Sequence, residues 1–111
     1  MNLRRGDIVY VAVKGPYTTK PRPVVVVQAT QTLELMESVT VCPITSAEVD
    51  AAFVRVPVAE GQRSGLDRNS WIMVDKVVTV PRSALRMPAV GKLDVRELSE
   101  LEAALKNWLD L

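Results

Sequence analysis

One stretch constrains the fold more than any other: an arginine between two prolines, at residues 21–23, runs directly into four valines at residues 24–27. Proline fixes its own φ angle and pushes the preceding residue into an extended conformation, so Arg22 is predicted to be extended. The β-branched valines occupy both faces of a pleated strand, which favours a central strand covered on two sides. The sequence therefore predicts a buried strand that begins with one fixed cation. Alternatively, Arg22 is an ordinary solvated residue at a strand end.

The size and composition are those of one small globular domain covering residues 1–111. A chain of 111 residues can bury a core without disulfides or a metal. No apolar run approaches the roughly 20 residues of a membrane span, and the N-terminus lacks the pattern of a signal peptide. We therefore expect a cytoplasmic protein without a membrane segment.

The absence of histidine restricts the chemistry that the chain can carry. With no histidine and one cysteine, a zinc site of the usual kind and the Ser-His and Cys-His nucleophile pairs are excluded. Cys42 lies inside an apolar run, which predicts a buried, reduced thiol. We expect no metal and no cofactor, so any chemistry must come from Arg, Lys, Asp, Glu, Thr, Ser or Tyr.

The formal net charge of +1 hides an uneven distribution of charge along the chain. Residues 1–33 carry five basic groups and one acid, and residues 61–92 carry six basic groups and two acids. Residues 34–60 and the tail from Leu93 each carry five acids. If the two basic segments fold onto one face, they form a cationic groove suited to phosphates. The alternative is that the charges mix over the surface.

Periodicity and turn residues predict a protein made mostly of strands. The alternation of apolar residues predicts strands at residues 7–13, 24–29, 38–46, 53–58, 70–80 and 86–93. The fifth is either one long strand or two strands joined by a kink at Asp75-Lys76. We expect a loop from Lys14 that ends in a corner at Pro21, and an edge or bulge at Pro43. Residues 81–85 resemble one helical turn.

The C-terminal segment is the clearest helix in the sequence. Asp94 followed three residues later by Glu97 fits a capping box. An apolar stripe at three- and four-residue spacing predicts core packing, with an oligomer interface as the alternative. The stripe consists of Leu98, Leu101, Leu105 and Trp108, extended by Val95 and Leu109.

Four motifs in this order resemble the landmarks of the MazF/PemK toxin family, within the CcdB/MazF superfamily. They are Arg5–Val11, Arg22–Val27, Pro43–Ser46 and Val74–Val80. The resemblance implies an α+β fold, a small SH3-like antiparallel β-barrel with a C-terminal α-helix that forms a homodimer. It also implies sequence-specific cleavage of single-stranded RNA or mRNA, which inhibits translation. The implied partner is a cognate antitoxin with an acidic, partly disordered tail that blocks the RNA groove.

RNA supplies its own nucleophile, the 2′-OH, so cleavage to a 2′,3′-cyclic phosphate and a 5′-OH requires neither a protein nucleophile nor a metal. The protein must align the attack, move protons and stabilise charge on the phosphorane. Arg22 can clamp the non-bridging oxygens, and Thr45 and Ser46 offer hydroxyls. By resemblance, Arg22 and Thr45 are the functional pair. Asp75 matches the family's aspartate and acts as a base or positions a base edge; the alternative is a structural partner of a nearby arginine. The residues expected to bind RNA are Lys14, Lys20, Ser46 and Lys76.

The sequence departs from the pattern of some relatives at two places. Some relatives carry a basic side chain where Met73 stands, and some carry a histidine or glutamate in the first loop, which here has neither.

A non-catalytic gyrase poison of the CcdB type is the main alternative function, since Ser70–Met73 and the terminal helix faintly resemble that branch. A plain SH3-like interaction module is a third possibility. The recognised RNA sequence and the dimer interface are not readable from the chain.

Overall fold

The computed structural model describes residues 2–14, 19–51 and 53–111, and within them seven β-strands are followed by one α-helix. The strands are β1 Asp7–Lys14, β2 Thr19–Val26, β3 Ser38–Thr45, β4 Arg55–Val58, β5 Ser70–Met73, β6 Val78–Pro81 and β7 Leu85–Lys92. The helix, α1, is Val95–Leu109, and single 3₁₀ turns occupy Thr30–Thr32, Val74–Lys76 and Arg82–Ala84. No helix in the described part of the chain combines the length and the apolar character needed to cross a membrane.

The strands form one antiparallel sheet in the order β4-β5-β3-β2-β1-β7. The first half of β3 pairs with β6 and its last two residues pair with β5, so β3 changes neighbours along one side. Pro43, which has no N–H to donate, lies at that change of neighbours. Among the described strands, β4 and β7 do not pair with one another, so the sheet is not closed. The antiparallel sheet with a C-terminal helix is thus confirmed, in an open, barrel-like form.

The valine run of β2 contributes to two separate cores on opposite faces of the sheet. Val25 and Val27 pack in the cluster that includes Leu101 of α1, whereas Val24 and Val26 pack in a second cluster. Because successive side chains of a strand point to opposite faces, a run of valines suits a strand that is covered twice. The prediction of a central strand buried on both sides is confirmed.

The corner predicted at Pro21 is wrong, because β2 begins at Thr19 and Pro21 pairs with Ala12 of β1. The pairing of β2 with β3 starts only at Val24. Residues 19–23 therefore have one strand neighbour, and the absent proline N–H groups interrupt no second ladder. As predicted, Arg22 has extended backbone, but it lies within the strand. The same strand ends at Val26, three residues before the predicted end.

Residues 70–80 form two strands joined by a bend at Asp75-Lys76, and not the single long strand that was the alternative. β5 ends at Met73, the 3₁₀ turn Val74–Lys76 follows, and β6 begins at Val78. The turn redirects the chain, so that β5 and β6 pair with different parts of β3. It also places Asp75 at a bend and not inside a strand.

Helix α1 begins with the predicted capping box, in which Asp94 Oδ1 accepts from the Glu97 backbone N–H and Glu97 Oε1 accepts from that of Asp94. Leu101 and Leu105 are buried as expected. The extension of the stripe to Val95 is wrong, since Val95 is 87% exposed. At about 100° per residue, Val95 lies about 120° around the helix from Leu101. Trp108 and Leu109, in the last turn, are about half exposed.

Candidate functional site

Arg22 is an exposed cation on a rigid strand. Its cross-strand neighbour on β1 is Val11, which is buried. Within the part of the chain that the structure describes, the Arg22 guanidinium takes part in no ion pair. The flanking prolines limit the backbone freedom of Arg22, and its guanidinium can bind an anion from outside the chain.

Thr45 ends β3, and the strand register directs Arg22 toward it. β2 and β3 pair as Val26 with Val41, Val25 with Cys42 and Val24 with Pro43. Arg22 and Thr45 lie beyond the last pair of this ladder, two residues from Val24 and from Pro43 respectively, so that each is on the same face as its neighbour in that pair. The two predicted partners therefore lie at the same end of the β2–β3 pair.

The Thr45 hydroxyl is half-buried and oriented by its own turn. Its Oγ1 accepts a hydrogen bond from the backbone N–H of Ala47 at 3.1 Å. A hydroxyl that accepts one bond keeps its own hydrogen as a donor, so Thr45 can still donate to a phosphate oxygen. Ser46, the next residue, is exposed beside it.

On the side of Thr45 away from β2, the sheet continues with an aromatic residue. Trp71 of β5 is the cross-strand partner of Thr45, and Pro57 of β4 is the partner of Trp71. These three side chains form a row on one face. A cleft of about 430 Å³ opens there, lined by residues 48–51 together with Arg55, Pro57 and Trp71.

Asp75 is ion-paired with an arginine, as one of the alternatives for it expected. Its Oδ1 lies 3.2 Å from Arg55 Nε, and its Oδ2 lies 3.3 Å from Arg55 Nη2. The Asp75 side chain is only 21% exposed and the Arg55 side chain only 12%. A bidentate pair of this kind fixes both groups. Asp75 thereby holds the Arg55 guanidinium at the wall of the cleft.

Arg55 and Trp71 were not among the predicted site residues. Arg55 is the cross-strand partner of Met73, so β4 supplies a basic group beside that position. The signal was present in the sequence as a lone arginine between inward-facing valines of a strand. Its pairing with Asp75, 20 residues away, depends on which strands become neighbours.

The four residues expected to bind RNA lie at different places. Lys20 is exposed on β2, two residues before Arg22, and Lys76 is exposed in the 3₁₀ turn beside Asp75. Ser46 adjoins Thr45. Lys14 ends β1, and its side chain lies outside the described part of the structure, as do residues 15–18 of the first loop.

Two arginines of the basic segments form ion pairs with helix α1. Arg5 forms an ion pair with Glu102, and Arg63 pairs with Glu97, so each holds helix α1. Arg82 donates a hydrogen bond to the backbone oxygen of Met36. Arg22 and Lys20 are the exposed cations of β2.

Cys42 is fully buried, which confirms the predicted buried thiol. Burial, and secondarily the negative charge of Asp75, raises its pKa from 9.0 to about 12. The thiolate is the reactive form of cysteine, so this side chain is not available as a nucleophile at neutral pH.

The raised pKa of Cys42 predicts a loss of stability at alkaline pH. The thiol of the unfolded chain ionises near pH 9, whereas that of the folded chain keeps its proton to about 12. The free energy of unfolding should therefore fall between these values, by up to about 1.4 kcal/mol per pH unit. Urea unfolding at several pH values, compared with Cys42→Ala, isolates this contribution. Equal pH slopes for the two proteins would contradict it.

Comparison with known proteins places the chain in a family. Residues 4–109 match the model of the PemK-like, MazF-like toxin of type II toxin-antitoxin systems. The chain is 39% identical over 109 residues to a probable endoribonuclease MazF of Mycolicibacterium smegmatis, covering 98% of each protein. The protein therefore belongs to the PemK/MazF toxin family.

Solved structures agree with this assignment. Mycobacterium tuberculosis toxin MazF-mt6 superposes with a TM-score of 0.79 at 28% identity, over 95% of this chain and 97% of that one. MazF in a MazE-MazF complex from Deinococcus radiodurans superposes with a TM-score of 0.84 at 16% identity, over 100% of this chain and 98% of that one. The second likeness concerns the fold alone. The family resemblance of the four sequence motifs is confirmed.

Proposed function

We propose that this protein is the toxin of a type II toxin-antitoxin system and a sequence-specific endoribonuclease that cleaves single-stranded RNA, including mRNA, and so inhibits translation. The observation that supports this most is that Arg22, an exposed cation with no ion pair among the described residues, and Thr45 lie at the same end of the β2–β3 pair. Membership of the PemK/MazF family, and the 39% identical MazF, support the same activity.

The proposed reaction is attack of the RNA 2′-OH on the adjacent phosphorus. A bond forms between the 2′ oxygen and phosphorus, and the bond to the 5′ oxygen of the next nucleotide breaks. The products are a 2′,3′-cyclic phosphate and a 5′-OH end. Arg22 stabilises the negative charge on the phosphorane, where a fixed cation contributes most. Thr45 donates to a non-bridging oxygen and helps to align the attack.

Proton transfer is assigned according to the chemistry of the groups at hand. A guanidinium stays protonated at neutral pH, so Arg22 is a poor base and suits donation toward the leaving 5′ oxygen, while the proton of the attacking 2′-OH passes to water. Lys20, exposed on the same strand, adds positive charge that attracts the RNA backbone. Lys76 and Ser46 are proposed as further RNA contacts, with Lys14 beside the first loop. Because the nucleophile belongs to the RNA, the reaction requires no metal.

The test is incubation of purified protein with a long RNA in the presence of EDTA. We expect cuts at a short recurring sequence, and fragments whose 5′-OH ends accept phosphate from polynucleotide kinase without prior dephosphorylation. Intact RNA, or cleavage that appears only with added magnesium, would overturn the proposal. Intact RNA together with arrested supercoiling by gyrase would support the CcdB-like alternative instead.

Asp75 is proposed to position Arg55 and not to act as the general base. Its two carboxylate oxygens are already occupied by the Arg55 guanidinium. Asp75→Asn should therefore lower the cleavage rate less than tenfold and leave the shape of the pH–rate profile unchanged. Loss of a general base would instead cost about 10²- to 10⁴-fold and remove the acid limb of the profile. Single-turnover rates between pH 5 and 9 distinguish the two roles.

The proposed partners follow from the family. A cognate antitoxin is expected, with an acidic, partly disordered tail that competes with RNA for Arg22 and Lys20. A homodimer is proposed as the working assembly. The family description, a toxin of type II toxin-antitoxin systems, supports the antitoxin.

A further inference from the structure

A cleft lies directly beside the proposed cleavage site, one strand beyond Thr45. It measures about 430 Å³ and is lined by the loop of residues 48–51 and by Arg55, Pro57 and Trp71. Building on the proposed function, we infer that this cleft binds one of the two nucleobases that flank the cut. We further infer that it favours bases carrying an exocyclic amino group over uracil.

The position of the cleft follows from the strand register. Trp71 pairs with Thr45, and Pro57 pairs with Trp71, while β2, which carries Arg22, lies on the other side of β3. Neighbouring strands are about 4.7–4.9 Å apart. A nucleotide whose phosphate contacts Arg22 and Thr45 can therefore place its base, or that of its neighbour, on the indole of Trp71.

The lining favours a base over a phosphate or an acidic peptide. Trp71 and Pro57 offer flat apolar surface, and stacking on aromatic side chains is a general way to hold unpaired bases. Glu48 and Asp50 line the same cleft and place negative charge at it. Carboxylates repel phosphates and acidic side chains, so the group that enters must not be an anion and must be able to donate hydrogen bonds.

The polar groups of the cleft also determine which base fits. An ionised carboxylate only accepts hydrogen bonds, so Glu48 and Asp50 require donors on the base edge. Guanine, adenine and cytosine each carry an amino group, whereas uracil has a single donor, N3–H, flanked by two carbonyl oxygens that a carboxylate repels. Guanine fits best, because its N1–H and amino group are adjacent and match the two oxygens of one carboxylate.

Arg55 supplies the complementary donor in the cleft. Asp75 occupies its Nε and Nη2. Among the described residues, Nη1 has no hydrogen-bond partner. A guanidinium held in this way can donate to a base carbonyl, such as O6 of guanine beside N1–H. The ion pair thus fixes the orientation of a specificity residue.

Binding to the cleft can be tested without cleavage. The chain has two tryptophans, so Trp108→Phe leaves Trp71 as the sole indole. We expect 2′-O-methylated hexanucleotides of random sequence, which cannot be cleaved through the 2′-OH, to quench its fluorescence. Unchanged fluorescence at concentrations where the oligonucleotides bind, as measured by anisotropy, would overturn the subsite.

Selection by the cleft is tested by sequencing the cut sites of a random RNA pool. At one nucleotide flanking the cut, uracil should be disfavoured about 5- to 150-fold, the range for one good bidentate base contact. Glu48→Gln with Asp50→Asn should relax this position alone, because carboxamides can donate as well as accept. Trp71→Ala should slow cleavage about 5- to 150-fold, and Trp71→Phe should restore most of the rate.

The outcomes separate this inference from the proposed function. Quenching by the hexanucleotides without any cleavage would refute the nuclease and retain the subsite. Cleavage with uracil accepted at both flanking positions, or with a preference unchanged by the double carboxamide variant, would refute the subsite and retain the nuclease.

Discussion

Arg22→Ala is expected to lower the rate of RNA cleavage by about 10²- to 10³-fold, the usual cost of removing one preorganised group that stabilises transition-state charge. The guanidinium is exposed, makes no ion pair among the described residues and stands at the end of the register that leads to Thr45. Its loss removes charge stabilisation without exposing core. Single-turnover cleavage of one defined RNA measures the effect, and thermal unfolding checks the fold.

Arg86→Ala is the matched control for that substitution. Arg86 is an exposed arginine on β7. Its neighbour in sequence, Leu85, and Arg22 both pair with Val11, so Leu85 and Arg22 lie on the same face of the sheet. The side chain of Arg86 therefore points to the opposite face. Arg86→Ala should leave the rate within about twofold, as expected for a surface change away from the site. Arg22→Lys should leave most of the loss in place, since an ammonium cannot make the bidentate contact. Equal rates for Arg22→Ala and Arg86→Ala would remove Arg22 from the mechanism.

The parts of the fold that the sequence predicts well are those decided by local rules. The capping box of Asp94 and Glu97 needs only residues three apart, and it is present. The doubly covered valine strand follows from β-branched residues on both faces. By contrast, the sequence predicts a corner at Pro21 because proline usually interrupts strands. At Pro21, β2 pairs with β1 but not with β3, so the proline can lie inside the strand.

In the candidate site too, some residues can be predicted from local motifs, whereas others depend on which strands pair. Arg22 and Thr45 were predicted from their motifs, and the register brings them to one end of the sheet. The contribution of Arg55 depends on β4 pairing with β5 and on the bend at Val74–Lys76 that turns Asp75 toward it. No short-range pattern encodes a contact between residues 20 positions apart in different elements. Trp71 likewise becomes a neighbour of Thr45 only when β5 joins the end of β3.

Arg63→Ala should cause the largest loss of stability, about 3 kcal/mol in the free energy of unfolding. The Arg63 guanidinium donates to Glu97 Oε1 at 2.7 Å and to Oε2 at 3.2 Å, and also to the backbone oxygen of Lys92 at 2.8 Å. The Glu97 side chain is only 1% exposed. Removing the arginine leaves a buried carboxylate without its counter-charge, which costs more than the loss of a surface pair. Urea denaturation measures the change.

The backbone around Arg63 shows why the fold depends on this residue. Its carbonyl oxygen accepts from the Lys92 N–H at 2.9 Å, and a Cβ placed on Gly91 would lie 2.3 Å from the same oxygen. The loop of residues 60–69 therefore packs directly on the β7 backbone, and the Arg63 side chain links that contact to the first turn of α1. Loss of the guanidinium should loosen the loop and the helix start together.

Two further variants test whether the buried charge of Glu97, and not the general electrostatics of the helix, causes the loss of stability. They are Arg96→Ala and the double variant Arg63→Ala with Glu97→Gln. Arg96 pairs with Glu100 on the exposed face of the same helix, where such a pair contributes about 0.5 kcal/mol or less. If the unpaired carboxylate is the cause, Arg63→Ala with Glu97→Gln should be more stable than Arg63→Ala alone, because the amide needs no counter-charge and can keep the bond to the Asp94 N–H. A double variant as unstable as the sum of the two single variants would show that Arg63 acts through its backbone contacts instead. Cleavage per folded molecule should stay unchanged in all three variants, since Arg63 is turned toward α1 and not toward the RNA.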